Sequence, residues 1–351
     1  MTSRVRLAVI SILLFTALMA TSADAQNFTD PWLRMGIGAK AMAMGTAQTA
    51  SAEDATAAYW NPAALATLRR FEASLMYTAG MRAERNLNYV GAALRFEDIG
   101  TFSLSWLNAG ITGIQQRAGN TPNPDGTFDV SNNSFQMSYA RTLGTGFALG
   151  VSGKYLQEDL SDNEGYGLDG GVLFRPWDEL QFGAMARDIA GKHGDDDVPY
   201  EARIGVGAWA WRAILLSTDL IKVENQEGTA ALGAAYHFDV NENTNFYLAA
   251  GMNDLLHDQR AFTAGFGIGF RSFAVQYAYL TEPEEFLREN HRLSLNFYFG
   301  EREWPSRYGP LRRPRHEAEV MMRQEGPKEF IHRYIFEGNP SLKLQLELLR
   351  P

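Results

Sequence analysis

The most persistent pattern along the chain is an alternation of apolar and polar positions. In FEASLMYTA, Phe71, Ala73, Leu75, Tyr77 and Ala79 share one face; Glu72, Ser74, Met76 and Thr78 share the other. Period two is the mark of a strand. It recurs in segments of about ten residues, the length that crosses a bilayer as a tilted strand. It predicts strands over 71–80, 86–96, 101–109, 132–142, 145–156, 165–175, 179–188, 199–210, 213–223, 228–238, 244–252, 261–271, 273–280 and 291–300. That makes about fourteen, and an even number suits an outer-membrane barrel.

The connections alternate too. Short turns fall at 97–100, 143–144, 176–178, 211–212, 239–243 and 272. Longer polar connections fall at 108–131, 157–165, 188–199, 253–260 and 281–290. Outer-membrane barrels have short periplasmic turns and longer external loops, whereas a soluble sandwich has no reason to keep that alternation. Phe96, Phe102, Trp177, Trp209, Trp211, Phe270, Phe273 and Phe299 gather near the short turns, as an interfacial girdle would.

The first 70 residues break the pattern. Arg4 and Arg6 precede an apolar run from Leu7 to Ala20, and Ala23-Asp24-Ala25 offers a cleavage site. Residues 1–25 therefore read as a secretory signal peptide, with an anchor helix as the alternative disfavoured by the short run. Residues 26–70 are rich in Ala, Gly and Met, with helix-capable stretches at 39–43 and 52–58. Asn61-Pro62 should end a short helix and begin a turn, because the residue before a proline is pushed out of the α region. The segment precedes the first strand and is expected to start on the periplasmic side. Irregular backbone is tolerable at membrane depth only inside protein or water, so its place is within the barrel, as a hatch.

At the other end, residues 301–351 follow the last strand and should lie in the periplasm. This tail carries ten Lys/Arg against eight Asp/Glu, while residues 1–300 carry 22 against 33. Its end, SLKLQLEL, places Leu342, Leu344, Leu346 and Leu348 on one face. That face must be buried, either under the barrel or on a periplasmic partner by strand addition.

Composition narrows the classes. Mean hydropathy is −0.25, and no internal run reaches the ~20 apolar residues of a spanning helix. A net charge of −9 argues against nucleic acid as partner. The chain has no cysteine, which excludes disulfides, thiol chemistry and cysteine-rich metal sites. The six histidines, at 193, 237, 257, 291, 316 and 332, show no HxxxH or HExxH spacing. Asp195-Asp196-Asp197 and Asp162-Asn163-Glu164 lack the alternation of a calcium loop and read as solvated charge. No catalytic constellation, cofactor or metal site is legible, and the chain is not expected to be an enzyme.

Leu33-Arg34-Met35-Gly36-Ile37-Gly38-Ala39-Lys40-Ala41, then Met44-Gly45, Glu53-Asp54 and Tyr59-Trp60-Asn61-Pro62-Ala63, resemble the N-terminal signature of the PorV/PorQ family, relatives of the FadL-type barrels. The resemblance covers this segment; beyond it, only strand number and alternation agree, and the tail is not part of the common pattern. It implies an all-β, transmembrane antiparallel barrel of about fourteen strands over 71–300, closed by the hatch. It also implies export to the bacterial outer membrane, and no cofactor. In the PorV-type relatives the barrel serves type IX secretion, binding exported cargo proteins at the cell surface. In the FadL relatives it passes hydrophobic compounds.

Protein export or surface assembly is the first expectation, uptake of hydrophobic small molecules the alternative, and a structural barrel without cargo a third. The hatch motif (Gly36, Gly38, Met44, Gly45, Glu53, Asp54, Trp60, Asn61 and Pro62) reads as structural. Asn61 should bond its own turn. Charges expected inside the lumen are Arg95, Lys154, Asp169, Arg175, Arg187, Glu201, Arg203, Asp219 and Arg292. Among them Arg95, Arg175 and Arg203 are candidate partners for Glu53 and Asp54. An apolar ligand would meet Met35, Met42, Met44, Trp60 and Leu65.

Overall fold

The computed structural model describes residues 30–302, apart from 80, 82–84, 120–121, 145, 161, 211–212, 242, 258–259 and 282–289. The signal segment and the tail beyond Arg302, with Leu342, Leu344, Leu346 and Leu348, lie outside the described residues.

Sixteen strands follow one another: β1 (Arg69–Ala79), β2 (Arg85–Phe96), β3 (Gly100–Gln116), β4 (Gly126–Thr142), β5 (Phe147–Glu158), β6 (Asn163–Trp177), β7 (Leu180–Arg187), β8 (Lys192–His193), β9 (Asp196–Asp197), β10 (Glu201–Ala210), β11 (Ile214–Val223), β12 (Thr229–Asn241), β13 (Thr244–Asn253), β14 (Ala261–Phe270), β15 (Phe273–Leu280) and β16 (Asn290–Arg302). Fourteen pair antiparallel with their neighbours in chain order. β1 closes on β16, so the sheet is a complete barrel. β8 and β9 form a small hairpin against the outer end of β6.

The period-two pattern is what selects inside from outside. Along β5, Ala148, Ser152, Lys154 and Leu156 are buried in the lumen, while Leu149, Val151 and Tyr155 stand exposed. The outward band of large apolar side chains continues around the wall, with Leu104, Met137, Leu168, Ile204, Leu248 and Phe266 each exposed. Exposed side chains of this kind belong in lipid. Phe96, Phe102, Trp177, Phe273 and Phe299 are exposed at the short-turn end. Trp209 instead packs against the core, its ring 5.2 Å from that of His237, and leaves the expected girdle.

Two expected loops prove to be partly strand. The connection expected at 108–131 is mostly the outer half of the β3–β4 hairpin, whose register runs to Gln116↔Gly126 past an irregularity at Ile111/Ile114. The 188–199 connection contains β8 and β9.

Residues 31–68 fill the lumen. Pro31–Arg34 forms a 3-10 turn, Ala39–Ala43 and Ala57–Trp60 are short α-helices, and Pro62–Thr67 is a second 3-10 helix. Asn61 divides the last two in extended backbone, as the Asn-Pro pair requires. Its Oδ1 accepts from the Ala63 N–H at 3.0 Å. Ile37, Met44, Trp60, Leu65 and Leu68 are fully buried. Each large side chain withdrawn from water in this way contributes about 1.5–3 kcal/mol. The segment's direction differs from expectation. Its first described residues sit at the long-loop end, where Asp30 meets His193 and Arg34 meets Pro199. It then descends, and Leu68 meets Arg95 at the short-turn end.

Candidate functional site

The hatch approaches the wall closely because the wall has removed its side chains there. A Cβ added at any of seven glycines on seven strands would come within 3.0 Å of the hatch: Gly150 at Ala63, Gly171 at Asn61, Gly183 and Gly205 at Thr49, Gly233 at Met44, Gly251 at Gly45 and Gly265 at Ala43. Gly45 reciprocates. It holds φ +64, and a Cβ there would stand 2.6 Å from the Leu232 and Met252 backbone. At Gly45 and Gly251 the contact is glycine against glycine, and at the other six wall glycines an added side chain would overpack against the hatch.

Hydrogen bonds pin what the glycines admit. Asn61 Nδ2 donates to the Thr49 carbonyl at 2.7 Å and to the Val172 carbonyl of β6 at 3.0 Å. Trp60 Nε1 donates to the Ile37 carbonyl at 3.1 Å. Ala39 N–H donates to Ser294 Oγ at 2.9 Å, and Thr263 Oγ1 donates to the Ala43 carbonyl at 2.9 Å. Asp219 Oδ2 accepts from the Gln48 and Thr49 N–H groups and from Thr49 Oγ1.

A buried ionic cluster lies above, between hatch and wall. Arg34 sits 3.6 Å from Asp188 and 3.8 Å from Glu201, and donates to the Pro199 carbonyl. Glu201 also meets Arg187 at 3.2 Å and Arg203 at 2.7 Å, and Arg203 reaches Asp219 at 3.8 Å. Lys154 bridges Asp169, at 2.9 Å, and Asp188. Arg187 lies over the Tyr59 ring at 4.0 Å and donates to its carbonyl at 2.7 Å. Arg34, Lys154, Arg187 and Arg203 thus face Asp169, Asp188, Glu201 and Asp219, four charges against four. Burial at this depth is bearable only with such pairing.

Six of the charges expected in the lumen gather here: Lys154, Asp169, Arg187, Glu201, Arg203 and Asp219. Arg292 lies apart on β16, donating to Thr78 Oγ1 at 2.5 Å. Arg95 meets the Leu68 carbonyl at 3.4 Å, so it holds the hatch through its backbone. Arg175 turns to Asp178, 3.9 Å away. The hatch acids find other partners than expected. Glu53 pairs with Lys40 at 2.7 Å. Asp54 accepts from the Thr56 N–H at 2.9 Å, Thr56 Oγ1 and Asn296 Nδ2 at 3.2 Å. Arg203 pairs with Glu201 and Asp219 rather than with a hatch acid, yet it does hold the hatch, donating to the Thr46 carbonyl at 3.3 Å and lying 5.2 Å over the Trp60 ring. Asp188 and Arg34, which link hatch to cluster, were not singled out by charge; Arg34 stood within the motif.

The cavity described inside the barrel is small, about 10 Å³, bounded by Leu33, Tyr59, Tyr89, Leu107, Gln136 and Arg187, among others. That volume admits about one water. Met35, Met42, Trp60 and Leu65, the expected apolar lining, do not bound it. They pack instead within the apolar core of the hatch and wall.

The wall beside this cavity has a seam. β1 pairs with β2 from Phe71↔Leu94 only to Met76↔Tyr89. Beyond it, β1 keeps its ladder with β16 to Ala79↔His291, and β2 keeps its ladder with β3 to Arg85↔Ile111. Between Tyr77–Ala79 and Arg85–Asn88, Thr78 Oγ1 spans the gap, donating to the Leu87 carbonyl at 2.6 Å. Tyr89, the last paired residue, also walls the cavity, and its hydroxyl donates to the hatch carbonyl of Ala55 at 3.1 Å. Met76, Met81 and Leu87 are buried behind the seam.

This fold is found among solved outer-membrane channels. The "CymD monoaromatic hydrocarbon channel" matches with a TM-score of 0.58 and 12% identity, over 79% of this chain and 100% of that one. The Ralstonia pickettii toluene transporter TbuX matches at 0.53 and 12%, over 75% and 98%. A Pseudomonas aeruginosa FadL homologue matches at 0.50 and 11%, over 79% and 99%. At such identities the likeness is one of fold: a closed fourteen-stranded barrel of the FadL type. No protein-family model and no curated protein matches the chain.

Proposed function

We propose that the protein is an outer-membrane channel for small hydrophobic molecules, released sideways through the β1–β2 seam rather than straight through the plugged lumen. The observation that carries this reading is the ladder ending at Met76↔Tyr89 beside a cavity that Tyr89 itself walls. A spanning barrel normally closes every ladder, because backbone groups facing lipid have no water to bond. A short unladdered stretch backed by Met76, Met81 and Leu87 lets an apolar solute pass between lumen and bilayer. The relatives named for toluene and monoaromatic hydrocarbons support the same class of cargo. In this reading the signal peptide is removed on export, and the chain carries out no chemistry of its own.

The test is uptake of radiolabelled toluene by Gram-negative cells that produce the protein. In a Thr78→Cys/Leu87→Cys variant, a short bifunctional thiol reagent should bridge the seam and abolish protein-dependent uptake. A cleavable reagent should restore it on reduction. Unchanged uptake with the seam bridged would overturn the lateral route.

Protein export or surface assembly of the PorV/PorQ type is the second reading. It draws on the hatch motif and on the outer part of the β3–β4 hairpin. There, residues 112–116 and 126–130 pair with no other strand among the described residues. Free strand edges take added strands. Crosslinking in intact outer membranes separates the two readings: recovery of exported proteins sharing a C-terminal domain favours export, and absence of toluene uptake alongside it removes the channel.

A further inference from the structure

Two polar-to-aromatic rows cross the outer surface on β2–β6, and register alone brings their members together. Val90, Trp106, Phe135, Tyr155 and Tyr166 stand opposite one another in turn, a row with three rings in four further polar at one end. Trp106, Phe135, Tyr155 and Tyr166 are 36%, 46%, 43% and 54% exposed. One outward step nearer the long loops lies a second row: Asn88, Asn108, Asn133, Gln157 and Glu164, again in register. Asparagine is depleted in strands, and lipid-facing positions tolerate amides poorly. Four neutral amides in line mark a boundary where the wall leaves hydrocarbon for a polar layer.

The row is organised. Asn88 Nδ2 donates to Asn108 Oδ1 at 3.5 Å, and Asn108 Nδ2 to Asn133 Oδ1 at 3.0 Å. Trp106 Nε1 donates to the same Asn133 oxygen at 3.0 Å, which ties the indole to the amides. Tyr155 donates to Glu164 at 2.6 Å. Capacity is left over. Asn108 Oδ1 keeps a lone pair and Asn133 Nδ2 keeps an N–H, while the Gln157 amide makes no side-chain hydrogen bond among the described residues. Among the described residues, the one cation in register with the rows is Lys192 of β8, opposite Tyr166, and it is matched by Asp197 at 3.7 Å, while Glu164 closes the amide row, so the face carries no net positive charge. That chemistry repels phosphate. It suits a neutral polyol that offers hydroxyls on its edge and C–H groups on its face.

We propose that this face binds the uncharged sugar headgroup of a membrane glycolipid. The rings of Trp106, Tyr155 and Tyr166 meet the apolar face of the sugar, and the Asn108–Asn133–Gln157 amides exchange hydrogen bonds with its hydroxyls. The acyl chains continue down the apolar wall past Leu104 and Met137. The position argues for a lipid-borne sugar over a free one, because the aromatic row is continuous with the lipid-facing band.

The test is native mass spectrometry of the full chain released from nanodiscs holding equal amounts of digalactosyl diacylglycerol and phosphatidylglycerol. Wild type should retain the glycolipid in preference to phosphatidylglycerol. An Asn133→Leu/Gln157→Leu variant should lose about fivefold of that preference, the worth of one or two neutral hydrogen bonds. Free digalactose at the same concentration should not compete. Equal retention of both lipids by wild type overturns the proposal, and needs no variant to fold. So does a wild-type dimer that the variant turns into a monomer, since the rows would then be a contact between copies. Competition by free digalactose overturns the lipid-borne source.

Discussion

Thr49 and Asp219 meet twice: the Thr49 N–H and its Oγ1 both donate to Asp219 Oδ2, at 2.9 and 2.7 Å. One residue belongs to the hatch and the other to β11, so this carboxylate fastens plug to wall while Arg203 balances its charge. Asp219→Ala removes both functions and takes from Arg203 one of the two carboxylates it meets, Glu201 being the other. The expected loss is about 3–5 kcal/mol, the usual cost of breaking a buried pair from one side. Urea unfolding followed by tryptophan fluorescence measures it. Asp219→Asn, which keeps an acceptor, should lose less.

Gly171 tests the glycine contact. An alanine there would drive its Cβ into Asn61 Oδ1 and within 3.0 Å of Pro62 Cδ. Overpacking of this kind costs about 1–3 kcal/mol. Gly171→Ala should therefore lower stability and raise single-channel conductance in planar bilayers, as the hatch is pushed off the wall. Gly153→Ala, facing open space toward Leu168, should leave both unchanged.

Arg34 ties the upper hatch to Asp188, Glu201 and the Pro199 carbonyl. Arg34→Ala should speed amide exchange across residues 32–38 and raise conductance. Lys192→Ala, which removes a solvent-exposed pair with Asp197, should change neither, since such pairs are worth at most about 1 kcal/mol.

How much of this could be read from the chain follows from what alternation records. The fourteen strands were legible because lipid and lumen impose opposite demands on alternate residues. Where both faces see water, as at Gly113, Gln115 and Gln116, the demand lapses, and the outer β3–β4 hairpin read as loop. The short helix, the Asn61-Pro62 break and the lumen charges were legible too. Their partners were not, because charge type carries no register: Glu53 chose Lys40, and Arg203 chose Glu201. The seam was hidden for a related reason. Residues 77–79 alternate as well as 71–76, and only pairing tells them apart. The Trp106–Tyr166 row escaped because its members lie far apart in sequence.

His257 gives a pH dependence outside the membrane band. It donates to Asp254, and Nε2 lies 3.0 Å from Glu227. The hydrogen bond to Asp254 raises its pKa above the ordinary histidine value; burial opposes it, and the charges of Asp254 and Glu227 add to the rise. A raised folded-state value means that the pairing stabilises below the unfolded histidine pKa and is lost as pH rises through the folded one. The loop at 253–257 should loosen across that window. NMR titration of the His257 ring should give a midpoint above that of an unstructured histidine, and Asp254→Asn should bring it down.

The hatch's contacts also dictate an order of events. Met44 and Gly45 rest on β12 and β13, Ala43 on β14, and Ala39 on β16, so a segment made among the first finds its seats among the last. None of those seats exists until the C-terminal strands are in place, and β1 cannot close on β16 before them. The plug is a keystone: it leaves the ribosome early and locks late. Before that moment its Ala- and Met-rich backbone has no wall to satisfy it, so the unassembled chain must be held by something else in transit.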